Sequence, residues 1–290
     1  MKKSEQRNML IVGNWKAYIT STADIAGYVN LFSRAAAYSK NFGAVEVRTS
    51  SRIRGADEKK KMTGADVVLC PPFPFLSGVA AHAKPLGIHV GAQDVFWESK
   101  GPYTGEITPA MLKSMEVSYV IIGHSERRRN FGETDESVSK KVCAVLAEGL
   151  APIVCVGEWE KPRGPEMERK MYDFVRAQVR TALRLVDAKN LKRVVFAYEP
   201  VWAITGSGTG EADTPENAAR MIVFIRRIIA SHADAKTAHA MRVIYGGSVT
   251  SQNCEGFLSH QAIDGVLAGS ASTHPKEFAK IISIANAIKK

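Results

Sequence analysis

The chain has 290 residues, 45% apolar and 23% charged, with a net charge of +10, a pI near 9.4 and a mean hydropathy of -0.12. This composition excludes collagen-like, disordered and membrane-spanning classes and supports a sizeable buried core. Length alone suggests about two domains, although α/β barrels reach this size as one unit.

The N-terminus, MKKSEQRNM, is charged and is followed only by Leu10, Ile11 and Val12 before Gly13, too short an apolar run for a signal peptide. A cytoplasmic location and no membrane partner are expected. Cys70, Cys143, Cys155 and Cys254 have no C-x-x-C spacing, so buried free thiols are expected rather than a metal knuckle or disulfide framework. Most of the positive excess sits in two short stretches, residues 1 to 7 and 48 to 61. No aromatic residues interleave with it in the RNA-binding manner, so no nucleic-acid partner is expected.

Apolar runs, mostly rich in β-branched residues, recur at 10 to 14, 66 to 70, 88 to 92, 117 to 122, 151 to 156, 193 to 198, 242 to 246 and 263 to 268. Each reads as a strand buried on both faces. Helical patterns lie between and after them, at 23 to 38, 74 to 83, 109 to 115, 134 to 149, 165 to 186, 215 to 232, 250 to 258 and 275 to 288. Thr214-Pro215-Glu216 and His274-Pro275 carry helix-start signals, because proline suits the first helical position. Eightfold alternation without hairpins predicts an α/β fold, a single-domain (β/α)8 barrel of eight parallel strands with helices outside. Spanning 1 to 290, it carries a short N-terminal extension, 1 to 8, and a polar basic insertion at about 39 to 64. That insertion joins a helix to the next strand, which puts it on the face opposite the chemistry.

Active sites of such barrels lie at the strand C-termini. There the chain reads Gly13-Asn14-Trp15-Lys16, Gly123-His124-Ser125-Glu126, Glu199-Pro200, Gly246-Gly247-Ser248 and Gly269-Ser270. Glu199 closes the apolar run VVFAYE, where burial would raise its basicity and suit it to take a proton from carbon. The Gly/Ser turns offer backbone amides to a phosphate. Singly, each feature has a plainer reading: Lys16 as a rim charge, His124 as a histidine satisfied by backbone, Glu199 as half of an ion pair, the turns as tight connections. Packing does not explain their convergence.

GNWK at 13 to 16, CPPFPFL at 70 to 76, GAQDVFWE at 91 to 98, GHSERR at 123 to 128, AYEPVWA at 197 to 203 and YGGSV at 245 to 249 together resemble the triosephosphate isomerase family. The likeness runs from about Met9 to the C-terminus. It implies interconversion of dihydroxyacetone phosphate and glyceraldehyde 3-phosphate through an enediolate. By resemblance Glu199 matches the base, His124 the electrophile and Lys16 the cation that offsets phosphate and oxyanion charge. Glu126 matches the carboxylate that interacts with that lysine, and Asn14 a donor to substrate oxygen. Gly247, Ser248 and Gly269 match the phosphate site, and Ser270 is expected to contact the phosphate beside them. No metal or other cofactor is implied.

Three stretches depart from the family pattern. The family lid commonly reads AIGTGKTATPE, whereas residues 203 to 216 read AITGSGTGEADTPE, three residues longer and without the lysine. Gly208 is the expected phosphate-binding amide. Ser270 replaces a usual glycine. Ala17-Tyr18 replaces a Met-Asn pair that helps receive a loop from a second subunit. The resemblance implies a homodimer, with Thr104 and Gly105 at the tip of that loop. Rival readings are an isomerase of another short ketose phosphate, such as a tetrulose phosphate, and a catalytically silent barrel acting as a scaffold or nucleic-acid binder.

Overall fold

In the computed structural model, which describes residues 8–38, 64–204 and 211–288, eight short runs become eight parallel strands. They are Leu10–Asn14 (β1), Asp66–Cys70 (β2), His89–Ala92 (β3), Tyr119–Ile122 (β4), Ala151–Val156 (β5), Val195–Tyr198 (β6), Arg242–Tyr245 (β7) and Gly265–Ala268 (β8). They pair in sequence order and close, β8 against β1. Alternate strand residues point inward, where Leu10, Val12, Val68, Ile121, Ile153 and Ile244 fill the barrel. Their neighbours Ile11, Val67, Val120, Ile122 and Val154 face the helices and join the larger outer core. Both faces are therefore dry, and each Val, Leu or Ile buried there contributes about 1.5–3 kcal/mol.

The helices are Thr22–Tyr38 (α1), Leu76–Ala83 (α2), Pro109–Ser114 (α3), Ser125–Phe131 (α4), Asp135–Ala147 (α5), Pro165–Leu183 (α6), Pro215–His232 (α7), Ala235–Ala240 (α8), Cys254–Ser259 (α9) and Pro275–Ala287 (α10). Local chemistry sets their starts. Thr108, Thr134 and Thr214 each cap a helix by accepting a backbone N–H, a contribution of about 1 kcal/mol apiece.

Closure depends on one glycine. Gly265 pairs with Leu10 at φ +154, and a Cβ there would lie 1.9 Å from the Leu10 carbonyl oxygen. At this N-terminal end of the barrel, Arg242 pairs with Asp66 and Arg226 with Asp264. The C-terminus of α1 and the start of β2 lie at the same end. Residues 1–7 and 39–63 themselves fall outside the described residues.

The predicted one-to-one alternation is too simple. Two helices, α4 and α8, had no counterpart in the sequence reading. The first, SERRRNF, is almost wholly polar and so shows no buried stripe; the second, AKTAHA, is only six residues long. The helix after β7 begins at Cys254 rather than residue 250, because Thr250 to Asn253 form a turn. Cys70, Cys155 and Cys254 are buried as expected, but Cys143 is only half-buried. Among the described residues, no helix is long and apolar enough to cross a membrane.

Candidate active site

Where β1 ends, Lys16 adopts φ 48, a left-handed conformation that costs a non-glycine residue roughly 1–2 kcal/mol. Its surroundings hold it there. The Lys16 N–H donates to Asn14 Oδ1 at 3.0 Å. Gln93 Nε2 donates to the Lys16 carbonyl at 2.8 Å and to the Cys70 carbonyl at 2.9 Å, tying the ends of β1 and β2 together. The strained backbone aims the ammonium at Glu126, with Nζ 2.7 Å from Oε1. Burial acts to raise the Glu126 pKa, but the Lys16 ammonium outweighs it and holds the carboxyl below its ordinary value.

Glu199 follows β6 and is 2% exposed. The Ser125 N–H donates to its Oε2 at 3.2 Å. Its Oε1 lies 3.2 Å from His124 Nε2, yet the pair lacks hydrogen-bond geometry and Oε1 is a buried acceptor without a donor. Such orphaned acceptors are rare and destabilising unless they serve a function. His124, also buried, caps α4: its Nδ1 accepts the Glu126 N–H at 3.2 Å. That bond requires a lone pair on Nδ1, so the neutral ring carries its proton on Nε2, facing Glu199. The glycine at 246 makes room for the carboxylate, since a Cβ there would lie 2.9 Å from Glu199 Cγ.

Lys16, His124 and Glu199 line one cavity of about 140 Å³ with Gly247, Ser248, Gly269 and Ser270. It is smaller than the ~300–1,000 Å³ typical of pockets for drug-sized ligands, which fits a small substrate. A wider groove of about 890 Å³ runs between α6 and α7 on the outer wall, away from these groups. Ser248 Oγ donates to the Ala203 carbonyl at 2.7 Å, linking the turn after β7 to the chain entering the lid. A Cβ on Gly269 would come within 3.7 Å of Lys16 Nζ, so this turn runs close to the ammonium. Asn14, expected to contact substrate, is 4% exposed and uses its carbonyl oxygen on the Lys16 backbone. Gly208 lies outside the described residues. Thr104 and Gly105 lie apart on an exposed loop, where Tyr103 packs on Phe96 with ring centroids 4.7 Å apart.

Further residues support this arrangement without having been singled out from sequence. Glu158, 4% exposed, accepts from Trp202 Nε1 at 2.7 Å and Tyr198 OH at 2.9 Å. Asp94, Glu133, Lys141 and Arg127 form a largely buried ion network, which ties the loop after β3 to α4 and α5. Gln93 and Asp94 fall within the GAQDVFWE motif, which could have flagged them; Glu158 had no such signal. Among the described residues, no group of three or more His, Cys, Asp or Glu is placed to hold a metal.

Fold and site together define an enzyme of the (β/α)8-barrel class, with a buried carboxylate, an imidazole and an ammonium around a small cavity. The family model described as triosephosphate isomerase matches residues 9–285, and the chain belongs to that family. It is 50% identical over 219 residues to the triosephosphate isomerase of Caldanaerobacter subterraneus subsp. tengcongensis, covering 76% of this chain and 86% of the relative. Against that of a Thermoanaerobacter species it is 41% identical over 280 residues, covering 96% and 99%. Against that of Dictyoglomus thermophilum it is 40% identical over 278 residues, covering 95% and 99%.

Proposed function

We propose that the chain interconverts dihydroxyacetone phosphate and D-glyceraldehyde 3-phosphate in central carbon metabolism. The observation that carries the mechanism is the unbonded, buried Oε1 of Glu199 beside the Nε2–H face of His124. Glu199 takes a proton from the carbon next to the carbonyl, giving an enediolate, and returns it to the neighbouring carbon. His124 donates from Nε2 to the developing oxyanion, and Lys16 offsets its charge and that of the phosphate. Gly247, Ser248, Gly269 and Ser270 receive the phosphate, and residues 205–210, Gly208 among them, cover it and exclude water. An assay coupled to a glyceraldehyde 3-phosphate-consuming dehydrogenase tests this directly. Turnover of the triose phosphate is expected to exceed that of a four-carbon ketose phosphate; the reverse preference would replace the substrate, and no turnover of either would remove the isomerase reading.

In the same reading the chain works in the cytoplasm as a homodimer. The exposed loop bearing Thr104 and Gly105 docks beside Tyr18 of a second copy, where 62% of the Tyr18 surface is available. Light scattering at micromolar concentration is expected to give twice the 31.6 kDa chain mass. A monomer at that concentration would overturn the assembly without touching the chemistry.

A further inference from the structure

Two of the turns that line the small cavity run side by side, the one carrying Lys16 after β1 and the one carrying Gly269 and Ser270 after β8. A Cβ on Gly269 would come within 3.4 Å of Lys16 Cε. Both turns are braced by one residue of α1. Tyr28 is 4% exposed, and its hydroxyl donates to the Ser272 carbonyl at 2.7 Å. Its ring packs on Trp15, the residue before Lys16, with centroids 4.4 Å apart.

Ser272 passes this restraint to the cavity wall. Its Oγ donates to the Gly269 carbonyl at 2.7 Å, and its N–H donates to the same oxygen at 2.9 Å. With that carbonyl drawn back into the turn, the trans peptide directs the Ser270 N–H the opposite way, away from Ser272. The turn has little room to settle elsewhere, since a Cβ on Gly13 would lie 3.0 Å from Ser272 Cβ and 3.0 Å from Phe278 Cζ. A phenylalanine at 28 would fill the same space between Trp15 and Phe32; only the hydroxyl reaches the turn. Burial pushes that hydroxyl well above the ordinary tyrosine range, so it remains a protonated donor near neutrality. Trp15 Nε1 opposes the rise from nearby but lacks bonding geometry and has no partner of its own.

We propose that Tyr28 is a positioning residue for the phosphate end of the site, a role that rests on the reading of Gly269 and Ser270 as phosphate-binding groups. Acting through Ser272, its hydroxyl fixes the peptide between Gly269 and Ser270 beside Lys16, so that the Ser270 amide and the ammonium converge on one anion. Without the hydroxyl the Ser272 carbonyl loses a buried donor and the turn is free to tilt toward another. Phosphate binding then weakens. Proton transfer is spared, because Glu199 and His124 stand at the ends of β6 and β4.

The test titrates inorganic phosphate into the full-length chain labelled with ¹⁵N-serine and follows the Ser270 amide, assigned with Ser270→Ala. In Tyr28→Phe, which keeps the ring, phosphate affinity at that amide is expected to fall about 3–10-fold, the worth of one hydrogen bond. Ser272→Ala, which removes only the Oγ link, should shift it in the same direction and carries the test if Tyr28→Phe folds poorly. Val179→Ala, a buried truncation on α6, is expected to lower the urea midpoint without moving phosphate affinity. In the isomerase assay Tyr28→Phe should raise KM by a similar factor with kcat held within about twofold. The positioning role is overturned by unchanged affinity in both Tyr28→Phe and Ser272→Ala, by an equal fall in Val179→Ala, or by a wild-type Ser270 amide that phosphate leaves unmoved. Absent turnover with the affinity changes intact would instead fail the isomerase reading alone.

Discussion

Glu199 combines two properties that stable proteins keep apart, near-complete burial and an unbonded carboxylate oxygen. Glu199→Gln retains an oxygen to accept the Ser125 N–H but removes the base. Its kcat is expected to fall by roughly 10²–10⁴-fold, while the affinity for a phosphate-bearing competitive inhibitor changes only a few-fold; steady-state kinetics with inhibitor titration would show both. Near-normal turnover would take Glu199 out of the mechanism. Glu126 gives a pH-dependent counterpart. Its folded-state pKa is depressed by Lys16, so the stability it contributes is present above the unfolded value and lost as pH falls through the lower folded one. Denaturant unfolding of wild type and Glu126→Gln should therefore differ most near neutrality and converge only below the ordinary carboxylate range. A gap that instead widened in acid would show that Glu126 lacks this partner in solution.

At the scale of elements, the site stands where strand ends crowd one another. A Cβ on Gly157, just after β5, would lie 1.9 Å from the carbonyl oxygen of Glu199. Gly157→Ala must therefore displace one strand end from the other. A loss of about 1–3 kcal/mol is expected, read as a lower urea midpoint, together with a fall in kcat because the displaced residue is the base itself. Unchanged stability and rate would mean that the β5 and β6 ends are looser than drawn. The strands were legible in sequence because burial on both faces produces uninterrupted apolar runs. Helix α4 was not, since its role is to present His124 and Glu126 rather than to bury a stripe. The dependence of Lys16 on Asn14 and Gln93 was equally hidden. The sequence motif names the residues, but only the bend at φ 48 shows that Asn14 acts on its neighbour's backbone.

Across the whole molecule, the candidate site lies where the strands end, around Lys16, His124 and Glu199. The segments that flank the insertion, α1 and β2, meet at the N-terminal end, so deleting residues 48–61 is expected to leave turnover within about twofold of wild type. Kinetics and light scattering on that variant would check it, and a large fall in turnover with fold and assembly intact would place the insertion near the site. Eight strands and their order could be read from periodicity, and the site from residues at strand ends. What stayed illegible was the pairing of groups far apart in sequence at neighbouring strand ends, Glu158 with Trp202 among them. Closure also bears on how the chain is made. The first strand has its final partner in Gly265, opposite Leu10, so during synthesis β1 offers an unpaired edge until nearly the whole polypeptide has been released. At about 5–20 residues per second, that interval lasts roughly ten seconds to a minute. Throughout it the nascent chain presents an adhesive apolar strand to its surroundings, which makes chaperone capacity during translation a determinant of its yield.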